Sequence, residues 1–358
     1  MFDPSKILKI FLFYLYIILF LLIQSCKKDF SGLTNSIDTT SHDFHWETIT
    51  FDSPYGSGVL NDVAILDENN IWAVGAIYAD SAQPWLPYNA VHWDGQQWEL
   101  KRIKTNACGG VDYPPIKTIF AFSSNDVLFA HIDGSITFFD GISFNNDCRL
   151  VTQLNGSANK IWGRSKNDFY VVSGDGFIAH YNGSSWQKLE SGTDLPIQDI
   201  WGSSASGNLE IICIASDHIH NLGKKVLRIS DNQVEALPDS GLSWSLSGIW
   251  FISNTFYGIV GDGAYFSNKL GTVWQRDTTF PSLYKDAIRG QGVNDIFIAG
   301  SFGLVSHFNG LTWHHYTGIE VPSISGRYNA VSFRGNTVVA VGYRDSEHAI
   351  ILMGTRNQ

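Results

Sequence analysis

The residues of this 358-residue chain that could do chemistry are its eleven histidines, its four cysteines and a scatter of arginines. His218 and His220 flank Ile219, and alternate residues of an extended segment share a face. That pair could hold a metal, but no carboxylate or cysteine at metal-site spacing accompanies it, so no metal is expected. His92, His180 and His307 each precede an aromatic residue and an Asp-Gly or Asn-Gly pair, as in His180-Tyr181-Asn182-Gly183. A residue that recurs with a repeat serves the repeat, so these three read as scaffold. No nucleophile elbow, phosphate loop or dinucleotide fingerprint occurs. Neither a catalytic residue nor a cofactor is therefore assigned. Cys213, inside Ile211-Ile212-Cys213-Ile214, reads as a small buried hydrophobe. Cys108 and Cys148 either pair in an oxidising compartment or stay free; spacing alone leaves both open.

The elements that must position these residues are short strands. In Asn167–Glu190 an apolar run, Phe169–Val172, is broken by Ser173-Gly174-Asp175-Gly176. A second run ends at Tyr181, Asn182-Gly183 turns the chain, and Trp186 anchors a third. Asn-Gly between apolar runs is the strongest local hairpin signal, because both turn residues need positive φ. The pattern recurs seven times. Its second strand opens at Asn70, Asp126, Asp168, Leu209, Thr255, Asp295 and Thr337, at intervals of 56, 42, 41, 46, 40 and 42 residues. Four short strands every forty to fifty residues predict an all-β, seven-bladed propeller of four-stranded antiparallel blades, strands a to d. The unit around Lys225–Leu237 is the most degenerate. The seventh unit stops after strand c (Ala349–Gly354), whereas His45–Thr50 carries a strand d tryptophan, Trp46, with no partners of its own. The N-terminal strand is expected to complete the last blade, a closure that removes exposed sheet edges.

The Gly-x-x-Trp turn and the Asn/Asp-Asp-Ile-x-Ala-Val-Gly strand resemble Asp-box and photosystem-assembly-factor-like propellers, in the version found in bacterial envelope lipoproteins. Ser267–Trp274 is similar to an Asp box, with Lys269 in the aspartate's place and Val273 in the threonine's. The resemblance covers about residues 45–358 and implies the fold more than the function. Some such propellers are carbohydrate-active. A sialidase-like site would need an arginine cluster, a tyrosine nucleophile and an acid. Arg164, Arg289 and Arg334 lie just after or within strand a of units 3, 6 and 7, and so could approach a central channel. The Phe-Arg-Ile-Pro strand of such enzymes is absent. A carbohydrate-active enzyme is the alternative expectation and a non-catalytic binding module the leading one.

Binding is expected on one face. In an up-down blade the b–c and d–a connections share an end. The long connections, Ala76–Asn89, Lys104–Pro115, Ser216–Lys224 and Arg344–His348, all belong to it. Those of units 7, 1 and 2 become neighbours on closure and bring Tyr78, Asp80, Trp85, Tyr88, Asp112, Tyr113 and Arg344 together. Aromatic residues on loops held by a scaffold point to recognition of a protein or glycan, or else to rings packed on their own loops.

The first 25 residues read as a targeting segment. Lys6 and Lys9 precede an apolar run, Ile10–Ile23, too short to span a bilayer but suited to a secretory signal. Ile23-Gln24-Ser25-Cys26 resembles a bacterial lipobox, which implies acylation at Cys26 and anchorage of the mature chain in the outer membrane. Residues 26–44 are polar and read as the lipidated cysteine and a flexible tether; 45–358 form the propeller domain. Loss of residues 1–25 removes two lysines and one aspartate from the formal charge of −10, leaving −11. An acidic chain without a basic stripe is not expected to bind nucleic acid.

Overall fold

The structure, a computed structural model, describes residues 39–105, 108, 112–154, 157–205, 207–217, 220 and 222–357. The expected signal segment, Cys26 and most of the tether lie outside the described residues, as does His218. From Thr40 onward the chain is one compact unit. Among the described residues there is no helix, hence none long and apolar enough to cross a membrane.

Seven four-stranded antiparallel sheets are present, six of them in simple sequence order. The third blade shows the plan: Ala158–Ser165, Asp168–Ser173, Ile178–Tyr181 and Trp186–Leu189. The seventh is the exception. Arg327–Arg334, Thr337–Asp345 and His348–Arg356 take their fourth strand from Phe44–Asp52, with Ile49 opposite Ile351 and Trp46 opposite Gly354. The N-terminal strand thus closes the ring. Each face of a blade is apolar because its neighbour covers it. The buried residues fall into seven clusters, most drawing on two adjacent blades: Tyr170 and Ile178 of blade 3 pack with Ile200 and Leu227 of blade 4. Cys213, fully buried in that cluster, has its thiol pushed above its ordinary value by burial.

The recurrent histidines are structural pins. His92, His180 and His307 lie across from Trp72, Tyr170 and Phe297 of strand b and stack on them, with ring centroids 4.1, 4.3 and 4.5 Å apart. Each Nε2 reaches the residue that opens strand b: Asn70 at 2.9 Å, Asp168 at 2.8 Å and Asp295 at 2.8 Å. His92 and His307 titrate below the ordinary imidazole value, burial being the main cause.

Strand a carries a feature that alternation alone does not announce. In all seven blades its register shifts by one residue, skipping Asn61, Lys117, Asn159, Gln198, Ser247, Asp286 and Asn329. A bulge frees a side chain from the ladder and re-aims it. Asn61, Asn159, Ser247 and Asn329 use that freedom to bond the carbonyls of Ile116, Ile197, Lys285 and Leu60 on the next blade, at 2.9, 2.9, 2.5 and 2.8 Å.

Candidate functional site

The three arginines expected at the channel do not converge. Arg289 is buried in a bidentate pair with Asp199 at 2.9 and 3.0 Å. Arg164 is exposed and pairs with Asp168 of its own blade. Arg334 reaches only the Ile65 carbonyl, at 3.4 Å. Spread over blades 3, 6 and 7, each has its own partner, so they present no shared carboxylate clamp.

What strand a does hold is a pair of matching clamps. Asp62 accepts the N–H of Val63 and, from blade 2, the N–H of Ile119 and the Thr118 hydroxyl. It then receives the Lys160 ammonium of blade 3 at 2.7 Å. Asp199 repeats the arrangement: the N–H of Ile200, the N–H of Ile249 from blade 5, and Arg289 from blade 6. Each carboxylate ties three consecutive blades. Both carboxylates are nearly inaccessible, at 4% and 5% side-chain exposure, which makes them structural rather than reactive. The one hint in the sequence was the shared Asn/Gln-Asp-aliphatic triplet near the start of strand a in blade 1 (Val59–Asp67) and blade 4 (Ile197–Ser203).

The loop face of blade 1 is built around Arg102, a residue that sequence reasoning missed. Its guanidinium pairs with Asp80 at 3.1 Å, donates to the carbonyls of Leu86 and Pro87, lies 4.3 Å over the Tyr88 ring and 6.0 Å from that of Tyr113. Asp80 also caps its own loop by accepting the Ala82 N–H at 2.9 Å. That bond, with Arg102 behind it, holds the carboxyl below its ordinary value. Beneath lies Asn89, fully buried. Its amide bonds Ile103 twice and the Pro114 carbonyl once, joining the b–c and d–a loops. Lys104 pairs with Asp112 at 3.4 Å. Cys108 and Cys148 are joined by a disulfide, Cα atoms 5.2 Å apart, which ties the same d–a loop to the end of blade 2.

Of the seven residues expected on this face, Asp80, Tyr88 and Tyr113 are thus gathered around Arg102, and Asp112 pairs with Lys104. Tyr78 is half-buried, its N–H bonded to the Ser53 hydroxyl. Arg344 is a correction: strands b and c of blade 7 run on to Asp345 and from His348, so the connection is a two-residue hairpin turn. Arg344 sits in the strand, 3.6 Å from Asp345. Trp85 alone stands out, 70% exposed, with Tyr55 of the neighbouring d–a connection 47% exposed. Among the described residues, seven of the twelve exposed large hydrophobic side chains lie in b–c or d–a connections: Tyr55, Trp85, Ile132, Leu222, Trp244, Phe302 and Ile319. His220 turns to Asp217 at 2.8 Å. No group of three or more potential metal ligands occurs among the described residues.

No protein-family model matches the sequence, and no curated protein matches it. Solved structures do. YCF48 bound to D1 peptide superposes with a TM-score of 0.65 at 16% identity, over 90% of this chain and 100% of that one. The WD40 β-propeller domain of Doa1 gives 0.63 at 14%, over 87% and 98%. YCF48 from Cyanidioschyzon merolae gives 0.61 at 14%, with the same coverage. At such identities the likeness is one of fold.

Proposed function

We propose that this chain is a non-catalytic docking module, held at the bacterial envelope through Cys26, that captures a protein partner on the b–c/d–a face of blades 7, 1 and 2. The observation that carries the reading is Trp85: a large aromatic held in water on a loop pinned by Arg102, Asn89 and Asp80. Interface hot spots are enriched in tryptophan and tyrosine, and a preorganised loop lowers the ordering cost of binding. Tyr55, Ile132 and Ile319, exposed in connections of or leading into the same blades, supply further apolar contact surface. That a propeller of the same fold was solved with a D1 peptide adds support by analogy. The lipobox-like Ile23–Cys26 motivates the address.

The test is capture by the full chain from envelope extract, compared with Trp85→Ala. Loss of the captured protein, with an unchanged melting curve, is expected. Undiminished capture by the variant overturns the assignment of this face.

A further inference from the structure

The propeller carries its own example of how the turn-bearing end of a blade accepts an extended segment. Residues 40–44, Thr-Ser-His-Asp-Phe, pack against the end of blade 6 that carries its a–b and c–d turns. The Thr40 N–H donates to the Asn309 carbonyl at 3.2 Å, and its hydroxyl to the Asn294 carbonyl at 2.7 Å. His42 Nδ1 is 2.9 Å from His307 Nδ1, its Nε2 is 3.2 Å from the Thr312 hydroxyl, and its ring is 5.4 Å from that of His314. Thr40 also touches Asp295.

Strand register carries each of these positions onto blade 4. Phe297 lies opposite His307 and Ile212 opposite Arg228; His307 lies opposite His314 and Arg228 opposite Glu235. The counterparts of Asn294, Asp295, His307, Asn309, Thr312 and His314 are therefore Leu209, Glu210, Arg228, Ser230, Gln233 and Glu235. All six line one open groove of about 500 Å³, walled on the far side by Asn254 of blade 5. Where blade 6 is covered by a strap of its own chain, blade 4 presents the same surface to solvent.

The chemistry of the two grooves differs in one respect. In blade 6 the acid Asp295 receives the Arg356 guanidinium as well as His307 and Gln291. In blade 4, Arg228 turns to Glu235, and among the described residues Glu210 accepts the Tyr257 hydroxyl, at 2.7 Å. Asp231 adds a further carboxylate to the rim. The groove therefore sets three carboxylates, Glu210, Asp231 and Glu235, against one guanidinium, that of Arg228, and keeps a net negative charge.

We propose that the blade 4 groove docks an extended peptide segment of a partner protein, carrying a lysine or arginine that is received by Glu210 and Glu235. The backbone of the segment follows the course that Thr40–Phe44 takes on blade 6, and the aliphatic stem of the basic residue lies against Leu209. This site is separate from the Trp85 platform and does not depend on it.

The probe is a fluorescent, end-blocked peptide, Thr-Ser-Arg-Ser-Phe, with Thr-Ser-Glu-Ser-Phe as its control, titrated onto the full chain in detergent micelles. The arginine peptide is expected to bind at least about tenfold more tightly than the glutamate peptide, in keeping with the worth of a close charge pair. The double variant Glu210→Gln/Glu235→Gln should lose about tenfold, and Trp85→Ala nothing. If the double variant melts early, Gln233→Lys at an exposed position places a cation in the groove and should give the same loss. Equal binding of the two peptides, binding unchanged in Gln233→Lys, or binding lost only in Trp85→Ala overturns the proposal.

Discussion

A buried carboxylate is worth most to a fold when several chain segments converge on it, and Asp199 shows why. It holds Ile249 and Arg289 from two further blades, and Arg289 has only 12% of its side chain exposed. Removing one partner of such a pair leaves an uncompensated buried charge, which costs about 3–5 kcal/mol. Asp199→Ala is therefore expected to lower the urea-unfolding free energy by that amount, whereas Arg164→Ala, at an exposed pair, should change it by less than about 1 kcal/mol. The buried histidines add a pH dependence. His131, wholly inaccessible, is depressed by burial from 6.5 to about 4. The unfolded chain then binds the proton more tightly than the folded one. This contribution is complete above about pH 6.5 and is lost as pH falls towards 4. Asp286 acts in the opposite sense: burial, partly offset by Arg327, raises it from 3.8 to about 6, so its contribution is lost as pH rises through that range. Melting scans between pH 7 and 4 should show a shallower acid loss in His131→Gln and a steeper one in Asp286→Asn.

At the scale of strands and loops, the hairpins were legible because their signals are local. Apolar alternation, Asn-Gly turns and the orphan Trp46 fix the blade count without any long-range information. The clamps were not, since Asp62 and Lys160 are 98 positions apart and Asp199 and Arg289 are 90. Nothing in an amphiphilic strand says which carboxylate a distant cation will choose. Arg102 was missed for a related reason: a lone arginine after strand d looks like any solvated charge until the b–c loop folds over it. Arg344 was misplaced because a strand that outruns its neighbours reads as a loop when its tip is Arg-Asp-Ser-Glu. The bulge in strand a hides as well, being one extra residue in a run too short to show a phase change. Close packing explains a further sequence signal. A Cβ added at Gly75 would sit 2.0 Å from the Val59 carbonyl oxygen, so Gly75→Ala should destabilise by about 1–3 kcal/mol, measured by chemical denaturation. The Cys108–Cys148 bridge closes a segment of 40 residues, worth roughly 4 kcal/mol in the chain-entropy picture. A reducing agent should accordingly lower the melting temperature and speed proteolysis between residues 102 and 115.

For the whole molecule, the two proposed surfaces would divide the labour of recognition. The Trp85 platform offers apolar contact on the connection-rich face, while the blade 4 groove offers charge at the a–b and c–d turns. Neither uses the channel, whose wall is committed to holding blades together. A lipidated Cys26 would place both surfaces at a membrane. Cys26→Ser should abolish incorporation of labelled palmitate and release the protein into the soluble fraction; persistent labelling would remove the anchor from this picture.

The clamps of Asp62 and Asp199 divide six blades into two triads and leave the seventh outside both. That seventh sheet is also where the first and last strands of the propeller are zipped together. Resistance to opening is therefore uneven around the circle. In deuterated solvent the amides of residues 44–52 should trade their protons well before those of Ile119 and Ile249, and a molecule pulled by its N-terminus should unravel first at this join.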